Sequence, residues 1–600
     1  MLTSYELSRG RKFKNWFKNF FTQPSNIILV IAFVVLGVFT VFPLITLLSD
    51  TFKVHIAELM FDELRGSMLN SATGFHWSRM LFSDVSKMYF WEPLGNAVAM
   101  SLLSSVIAIL YGGIVAFLIT RTDIKAKKFL SAIFVFPYIM PSWTLASFWK
   151  NFFQNPDIGS GTGGMLYNLL KIKVSEGFVY GLVPSAIVLG LHYAPFAYIL
   201  IGGILRNMDA NLEEAATVLG ASRMKIIWRI TLPIVMPALL STFLLVFSSS
   251  MSAYAVPQFL GGSSGFTVLT TSMKQFINNG WYGQGYIMAV FMIIFGLAIL
   301  GLNQYFTGKR KSFTTVTGKS GQISFIKLKG WKYALAVVLV LLSLFCSVLP
   351  LITFALESLC VVPGDYSKLT FDFWISKTPV NNNGINGVFH EPQVWKAFGN
   401  SLGLSVCCAL IAGTVGILIG YAVSKRRGSW LARIVDNLAF LPYLMPSMAL
   451  GAAFLALGTP LGLNQTFFLL VLVGSIKYLP FASRSGINAM LQLSGEIEEA
   501  ALLVKVPWWK RMLRIIFPIQ KSTFISGYLL PFTSCMRELS LFTLLATGQM
   551  MLLTTLLESW QMWWQQSANA LNLIIIVTVL LINFIVNKLT GASIDKGVGG

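Results

Sequence analysis

The chain has 600 residues, of which 55% are hydrophobic and 12% charged, with a formal net charge of +21. A soluble protein of this length carries about 25% charged residues, so the composition excludes an ordinary soluble globular fold. Apolar runs of roughly 20 residues fit helices crossing a bilayer, whereas the strands of a membrane barrel would alternate in polarity.

In chain order, a basic stretch, RGRKFKNWFK (Arg9 to Lys18), precedes the first apolar run, NIILVIAFVVLGVFTVFPLITLL (Asn26 to Leu48). That run is too long for a signal-peptide core and no small-x-small cleavage site follows, so it reads as a retained first span. The full pattern predicts an all-α polytopic membrane protein with about twelve transmembrane helices in two parallel-repeat halves of six. The division is 1–26, a basic N-terminus; 27–306, the first half with its core at 93–305; 307–332, a linker with seven Lys or Arg and no acid; 333–588, the second half with its core at 397–588; and 589–600, a tail. Lys and Arg concentrate in segments on the N-terminal side of the bilayer, which predicts both termini in the cytoplasm. The basic excess is therefore a topology signal, and nucleic acid is not an expected partner.

The two halves repeat one plan. PLGNAVAMSLLSSVIAILYGGIVAFLITR, from Pro93, matches AFGNSLGLSVCCALIAGTVGILIGYAVSK, from Ala397, so that Asn96 aligns with Asn400 and Arg121 with Lys425. FPYIMPS (Phe136 to Ser142) matches LPYLMPS (Leu441 to Ser447), and YAPFA (Tyr193 to Ala197) matches YLPFA (Tyr478 to Ala482). The register shifts between the second and third match, which locates an insertion at the Gly-rich segment near Asn155. Within the linker, VTGKS resembles the end of a phosphate-binding loop, but Phe313 stands where the first glycine is required. If transport is driven by ATP, the ATPase is another chain.

A polar stretch, EEAATVLGASRMKIIWRITLP (Glu213 to Pro233), recurs as EEAALLVKVPWWKRMLRIIFP (Glu498 to Pro518). Acids open it and cations close it, in accord with the helix dipole. Ala215 and Ala216 allow close backbone approach, Gly220 can break the helix, Leu219, Ile226 and Ile230 give an apolar stripe, and Pro233 suits the first turn of the next span. The physics fits two readings: a kinked amphipathic element that docks on a partner, or an interfacial helix lying on lipid headgroups.

The spacing E-A-A, three residues, G, nine residues, I-x-L-P resembles the loop signature of permease subunits of binding-protein-dependent ABC importers, carried here by Glu214, Ala215, Ala216, Gly220, Ile230, Leu232 and Pro233. The second copy keeps Glu499, Ala500, Ala501, Ile515 and Pro518. It departs at Lys505, where Gly is expected, and at Phe517; Pro507 then follows, with Trp508 and Trp509 as a bulky anchor. The resemblance covers most of both halves and is to fused double permeases of the ferric iron, thiamine and organophosphonate branch. CMRELSLFTLLATG (Cys535 to Gly548), YAVPQFLGG (Tyr254 to Gly262) and VLTT (Val268 to Thr271) lean to the iron type. It implies a bacterial cytoplasmic-membrane protein whose two loops couple to two copies of an ATP-binding subunit, and which receives solute from an extracellular or periplasmic binding protein. Ferric iron is the expected substrate, with organophosphonate, thiamine or polyamine as alternatives. A secondary transporter or channel without an ATPase is the rival of another class.

Arg537 and Glu538, at the end of the fifth span of the second half, are candidates for a translocation path or gate, or for a structural ion pair. Tyr254 and Pro257 hold the corresponding place in the first half, where Pro257 either breaks the span and frees carbonyls to line a cavity or marks a plain helix end. Segments 50–92 and 359–393 suit a binding-protein platform or, through Trp77, Trp91 and Trp374, interfacial anchoring. His55, His76 and His390 lack metal-ligand spacing and are expected at the surface. The five cysteines form no C-x-x-C motif. No metal site, cofactor site or catalytic constellation is expected.

Overall fold

The computed structural model describes residues 20–158, 163–208, 210–262, 264–308, 326–380, 384–561 and 563–590. The stretch Arg9–Lys18, linker residues 309–325 with the VTGKS segment, and residues 591–600 lie outside these. The first half contains α1 (Pro24–Asp50), α2 (Lys87–Arg121), α3 (Lys127–Ile139), α4 (Ser142–Phe153), α5 (Leu182–Asn207), α6 (Ala210–Val218), α7 (Arg223–Met251), α8 (Ala255–Gly261), α9 (Leu269–Asn278) and α10 (Tyr282–Gly308). The second half follows the same order with α11 (Trp331–Glu357), α12 (Pro392–Lys425), α13 (Trp430–Leu444), α14 (Ser447–Leu461), α15 (Phe467–Gln492), α16 (Gly495–Leu503), α17 (508–519), α18 (Lys521–Met536), α19 (Leu553–Trp560) and α20 (Gln565–Thr590). The protein is thus an all-α polytopic membrane protein. Among the described residues nine helices are long and apolar enough to span, or eleven if each bent pair counts as one. The twelfth expected span is the α17–α18 segment; it breaks at Gln520, and α18 has only 16 residues.

The bends follow from local chemistry. α3 and α4 meet at 95°, α13 and α14 at 105°. Both breaks fall in the repeated Pro-Tyr-x-Met-Pro motif. The residue before a proline is pushed out of the helical region, and Met140 (ψ 150) and Met445 (ψ 137) are extended. Elsewhere proline is absorbed without a bend. Pro43, Pro93, Pro233 and Pro518 are each the second residue after a π-helical turn, at Gly37–Val41, Lys87–Trp91, Ile227–Thr231 and Met512–Ile516. The wider turn accommodates a residue that cannot donate and whose ring crowds the preceding carbonyl.

Within each half the second, fourth and fifth spans cross closely: α2 on α5 and α7, α12 on α15 and α18. Small residues permit this; a Cβ added at Gly112 would stand 2.9 Å from that of Ala197. Chain order assigns α1 to the first half, but it packs against α12, α13 and α14, while α11 packs against α3 and α4. Each first span therefore clasps the opposite half. The central apolar core draws on both halves, with Phe148 and Phe345 rings 5.2 Å apart.

Repeated hydrogen bonds mark the internal symmetry. The Asn96 amide donates to the Thr267 carbonyl (2.9 Å) and Asn400 to Met551 (3.0 Å). The Thr270 hydroxyl donates to the Ala253 carbonyl and Thr554 to that of Glu538. The insertion near Asn155 forms short helices at Met165–Leu170 and Glu176–Val179 where the second half has a tight link at Gly462–Thr466.

The long connections are folded caps. In 50–92, Lys53 bridges Ala72, and the Glu58 carboxylate accepts from the Gly283 N–H (2.8 Å) on α10. His76, expected at the surface, is wholly buried, and its Nε2 lies 3.2 Å from the Glu58 carboxylate and 3.0 Å from the Lys53 carbonyl. Burial pushes Glu58 up to about 7 and His76 down to about 4. Trp77 donates to the Thr51 hydroxyl, Trp374 to that of Ser358, and Trp91 stays half-exposed. His390 is exposed.

Candidate functional site

Two constellations stand out: a pair of polar elements at one face of the bundle and a cavity between the halves. Successive spans alternate in direction, so Arg121 at the end of α2, α6, Lys425 at the end of α12 and α16 all lie at the same face. Contacts agree, because the Ile326 N–H donates to the Arg121 carbonyl and the Leu328 N–H to the Asp123 carboxylate (2.7 Å). That bond holds the half-buried Asp123 carboxyl below its usual range.

In α6 the first glutamate of the EEAA run turns inward. Glu213 pairs with Arg121, which is 1% exposed, and accepts from the Thr231 hydroxyl (2.8 Å). In α16 the matching Glu498 pairs with Lys425, accepts from the Tyr421 hydroxyl (2.9 Å), and lies 3.9 Å from Arg511. The loop element is therefore clamped to the ends of the core spans in both halves. Glu214 and Glu499, the acids that fit the sequence signature, are exposed instead; so are Ala215 and Ala500, while Ala216 is half-buried and Ala501 buried. Sequence reasoning missed Glu213 and Glu498. The available signal was the double glutamate in both copies together with the aligned basic ends of α2 and α12.

The turn after each helix has one backbone shape. Gly220 has φ +76°, and Lys505 adopts φ +55° in its place. Lysine takes the left-handed conformation at a cost of about 1–2 kcal/mol, so the kink survives the loss of glycine. Pro507 then caps the next helix, Trp508 packs inward on Tyr421 (5.9 Å between rings), and Trp509 points outward under Lys510. Pro233 and Pro518 suit their places at the second position of an α-helical stretch, but at Pro233 the helix runs unbroken from Arg223. Around the turns apolar side chains face solvent: Val218 and Leu219 are each 87% exposed, Leu503 is 85% and Val504 73%. Exposed clusters of this kind mark interaction surfaces.

The cavity, about 280 Å³, opens where the two helix breaks face each other. Equivalent residues line it in pairs: Tyr138 and Tyr443, Met140 and Met445, Tyr193 and Tyr478, Phe196 and Phe481. The symmetry fails at the charges. His192 is matched by Lys477, and Ser252 and Ala253 by Arg537 and Glu538. Arg537 does not pair with Glu538. Its Nη1 donates across to the Tyr138 and Ile139 carbonyls (2.8 and 3.2 Å), freed by the α3–α4 break. Lys477 does the same for the other break, donating to the Pro442 and Met445 carbonyls (3.1 and 2.6 Å). Cations at helix C-termini complement the dipole. Glu538 accepts from the Tyr478 hydroxyl (2.8 Å) and the Leu541 N–H (3.0 Å).

Tyr254 lines the cavity and is buried; its hydroxyl donates to Glu558, which also pairs with Lys274 and accepts from Thr543. Lys274 and Glu558 occupy equivalent places in α9 and α19, so they join the two halves across the internal symmetry axis. Pro257 is not on the cavity wall. The helix has already ended at Met251, and Pro257 lies in the first turn of α8, where its missing N–H costs little. The five cysteines are free thiols, and no group of metal-ligating side chains occurs among the described residues.

Residues 108–312 and again 412–594 match the family described as binding-protein-dependent transport system inner membrane component. The chain belongs to this family. The permease is similar to a putative ferric transport system permease protein, FbpB 1, of Haemophilus influenzae, with 24% identity over 476 residues, covering 77% of this chain and 72% of the relative. The ferric transport system permease protein FbpB of Actinobacillus pleuropneumoniae is 24% identical over 473 residues, 77% of this chain and 65% of that one. A spermidine/putrescine transport system permease protein, PotC, of H. influenzae is 24% identical over 235 residues, 39% of this chain and 82% of that one. The permease is thus a multi-pass membrane subunit of an ATP-binding cassette importer, a transport component and not an enzyme, in a family that works with a solute-binding protein and a separate ATPase.

Proposed function

We propose that this permease forms the whole ferric iron pathway of its importer, with the cavity between the halves as the route and α6 and α16 as docking elements for two copies of an ATPase. The observation that carries the docking reading is the repeated pair of clamped, left-handed turns with apolar side chains presented at one face. Rigid attachment through Glu213–Arg121 and Glu498–Lys425 transmits movement of a docked partner to α2 and α12. ATP-driven closure of the ATPases pulls the two elements together and shifts the population toward an outward-open pathway. The basic linker and loops support a cytoplasmic position for this face, and the folded caps 50–92 and 359–393 then meet the solute-binding protein outside.

Iron is supported by the ferric transport permeases, which align with 77% of the chain and so with both halves. Co-purification tests the docking reading: the wild type carries an ATPase, and Glu214→Ala, Leu219→Asp and Gly220→Pro release it. Retention of the ATPase by all three variants refutes the assignment. A thermal-shift panel on the partner binding protein, with ferric iron, thiamine, an organophosphonate and spermidine, tests the substrate.

A further inference from the structure

The charged side chains on the cavity wall are Lys477, Arg537 and Glu538, two cations against one carboxylate. The partial charges of the helix ends cancel there, because the C-termini of α3 and α13 and the N-termini of α4 and α14 meet at the same place. Lys477 and Arg537 are held by backbone carbonyls, so no carboxylate cancels their charge directly. Donors are also in excess. Arg537 Nε and Nη2, and the hydroxyls of Tyr138, Tyr193 and Tyr443, have no protein acceptor among the described residues. On the same wall the buried indole N–H of Trp143 is unpartnered.

A trivalent aquo cation meets two like charges here; the serine and tyrosine hydroxyls of the wall accept as well as donate, so charge and not hydrogen-bond capacity opposes it. An oxygen-rich anion meets two cations and a set of unused donors, at charge-assisted strength. We infer that the cargo crosses the cavity as a net-negative, oxygen-rich species, a ferric ion enclosed in anionic oxygen ligands, with Arg537 and Lys477 as the residues that select its charge. This rests on the importer reading above.

The test uses the full-length permease in lipid nanodiscs and three probes: citrate, ferric citrate and spermidine. The inference expects saturable thermal stabilisation by citrate and ferric citrate and none by spermidine. Tighter binding of ferric citrate identifies the metal complex as the preferred form, and equal binding identifies the oxyanion shell as what is recognised; either supports the charge assignment. Arg537→Gln weakens binding about tenfold or more, and Arg537→Lys retains it, which separates charge from a folding defect. Stabilisation by spermidine at lower concentration than citrate, or citrate binding unchanged in Arg537→Gln, overturns the inference. The same preparations are assayed for a bound ATPase: its absence removes the importer reading and leaves the anion result standing, whereas its presence with cation-selective binding overturns this inference alone.

Discussion

Two adjacent glutamates, Glu213 and Glu214, have opposite surroundings and therefore predict opposite phenotypes. Glu213→Ala strips the carboxylate from Arg121, whose side chain is 1% exposed and whose Nη1 already lacks a partner, and takes the acceptor from the Thr231 hydroxyl. Removing one partner of a buried pair costs about 3–5 kcal/mol because the remaining charge stays desolvated. Glu213 is itself 13% exposed, so water offsets little of this. The loss is local, and hydrogen exchange across 210–232 and around Arg121 is the suitable assay; protection there should fall by two or more orders of magnitude. Glu214→Ala removes an exposed side chain, changes stability by less than about 0.5 kcal/mol, and leaves that protection intact while weakening ATPase retention. Equal loss of protection in the two variants, or none in Glu213→Ala, refutes the assignment of anchoring to Glu213 and contact to Glu214.

Lys505→Gly relieves about 1–2 kcal/mol of left-handed strain, less about 0.5–1 kcal/mol for the greater freedom of glycine in the unfolded chain, and so stabilises α16 and its turn by up to about 1 kcal/mol, read by exchange at residues 500–508; Gly220→Ala costs about the same, since an added Cβ meets nothing within 4 Å. Unchanged exchange in both variants contradicts the strain argument. Glu558→Ala leaves Lys274, Tyr254 and Thr543 without their common acceptor and destabilises the joint between the halves by about 3 kcal/mol, whereas Glu558→Ala with Lys274→Ala costs less than the single change; additive costs in a thermal-melt cycle argue against a direct pair. Glu58 supplies a pH test. Its folded carboxyl keeps its proton up to about pH 7 against an ordinary value of 4.5, so its contribution is intact below pH 4.5 and is lost as pH rises through 7. The buried neutral His76 acts in the opposite sense, its contribution intact above 6.5 and lost as pH falls through about 4. Glu58→Gln removes the first effect alone, so its melting temperature rises relative to the parent between pH 5 and pH 8, by at most about 3 kcal/mol in free energy. A constant difference between variant and parent across that range refutes it.

Features that depend on neighbouring residues were readable in advance. Pro141 and Pro446 impose extended backbone on the residue before them, so the doubled Pro-Tyr-x-Met-Pro motif carried the signal for two bent spans, although it was read only as a mark of the repeat. The EEAA runs and their spacing announced two loop elements. At Lys505 the reading stopped short, because a left-handed lysine is a compromise that only the surrounding turn can impose. Arg537 and Glu538 were singled out as costly intramembrane charges, yet Lys477, which carries the same signal immediately before the matched Tyr478, was passed over.

Composition and periodicity by themselves determined that this chain spans a membrane as helices, that it does so twice over in one orientation, and that a polar element recurs at one face. These properties are local: apolar length, helix-compatible spacing and proline geometry act within a few turns of the chain. Only tertiary structure decided that α1 and α11 clasp the opposite halves, that Glu213 and Glu498 turn inward, that Arg537 reaches the carbonyls of a helix break in the other half, and that Lys274 meets Glu558. Each of those contacts depends on where two distant segments come to lie, and burial makes the difference, since a charge removed from water must take the nearest partner that packing provides.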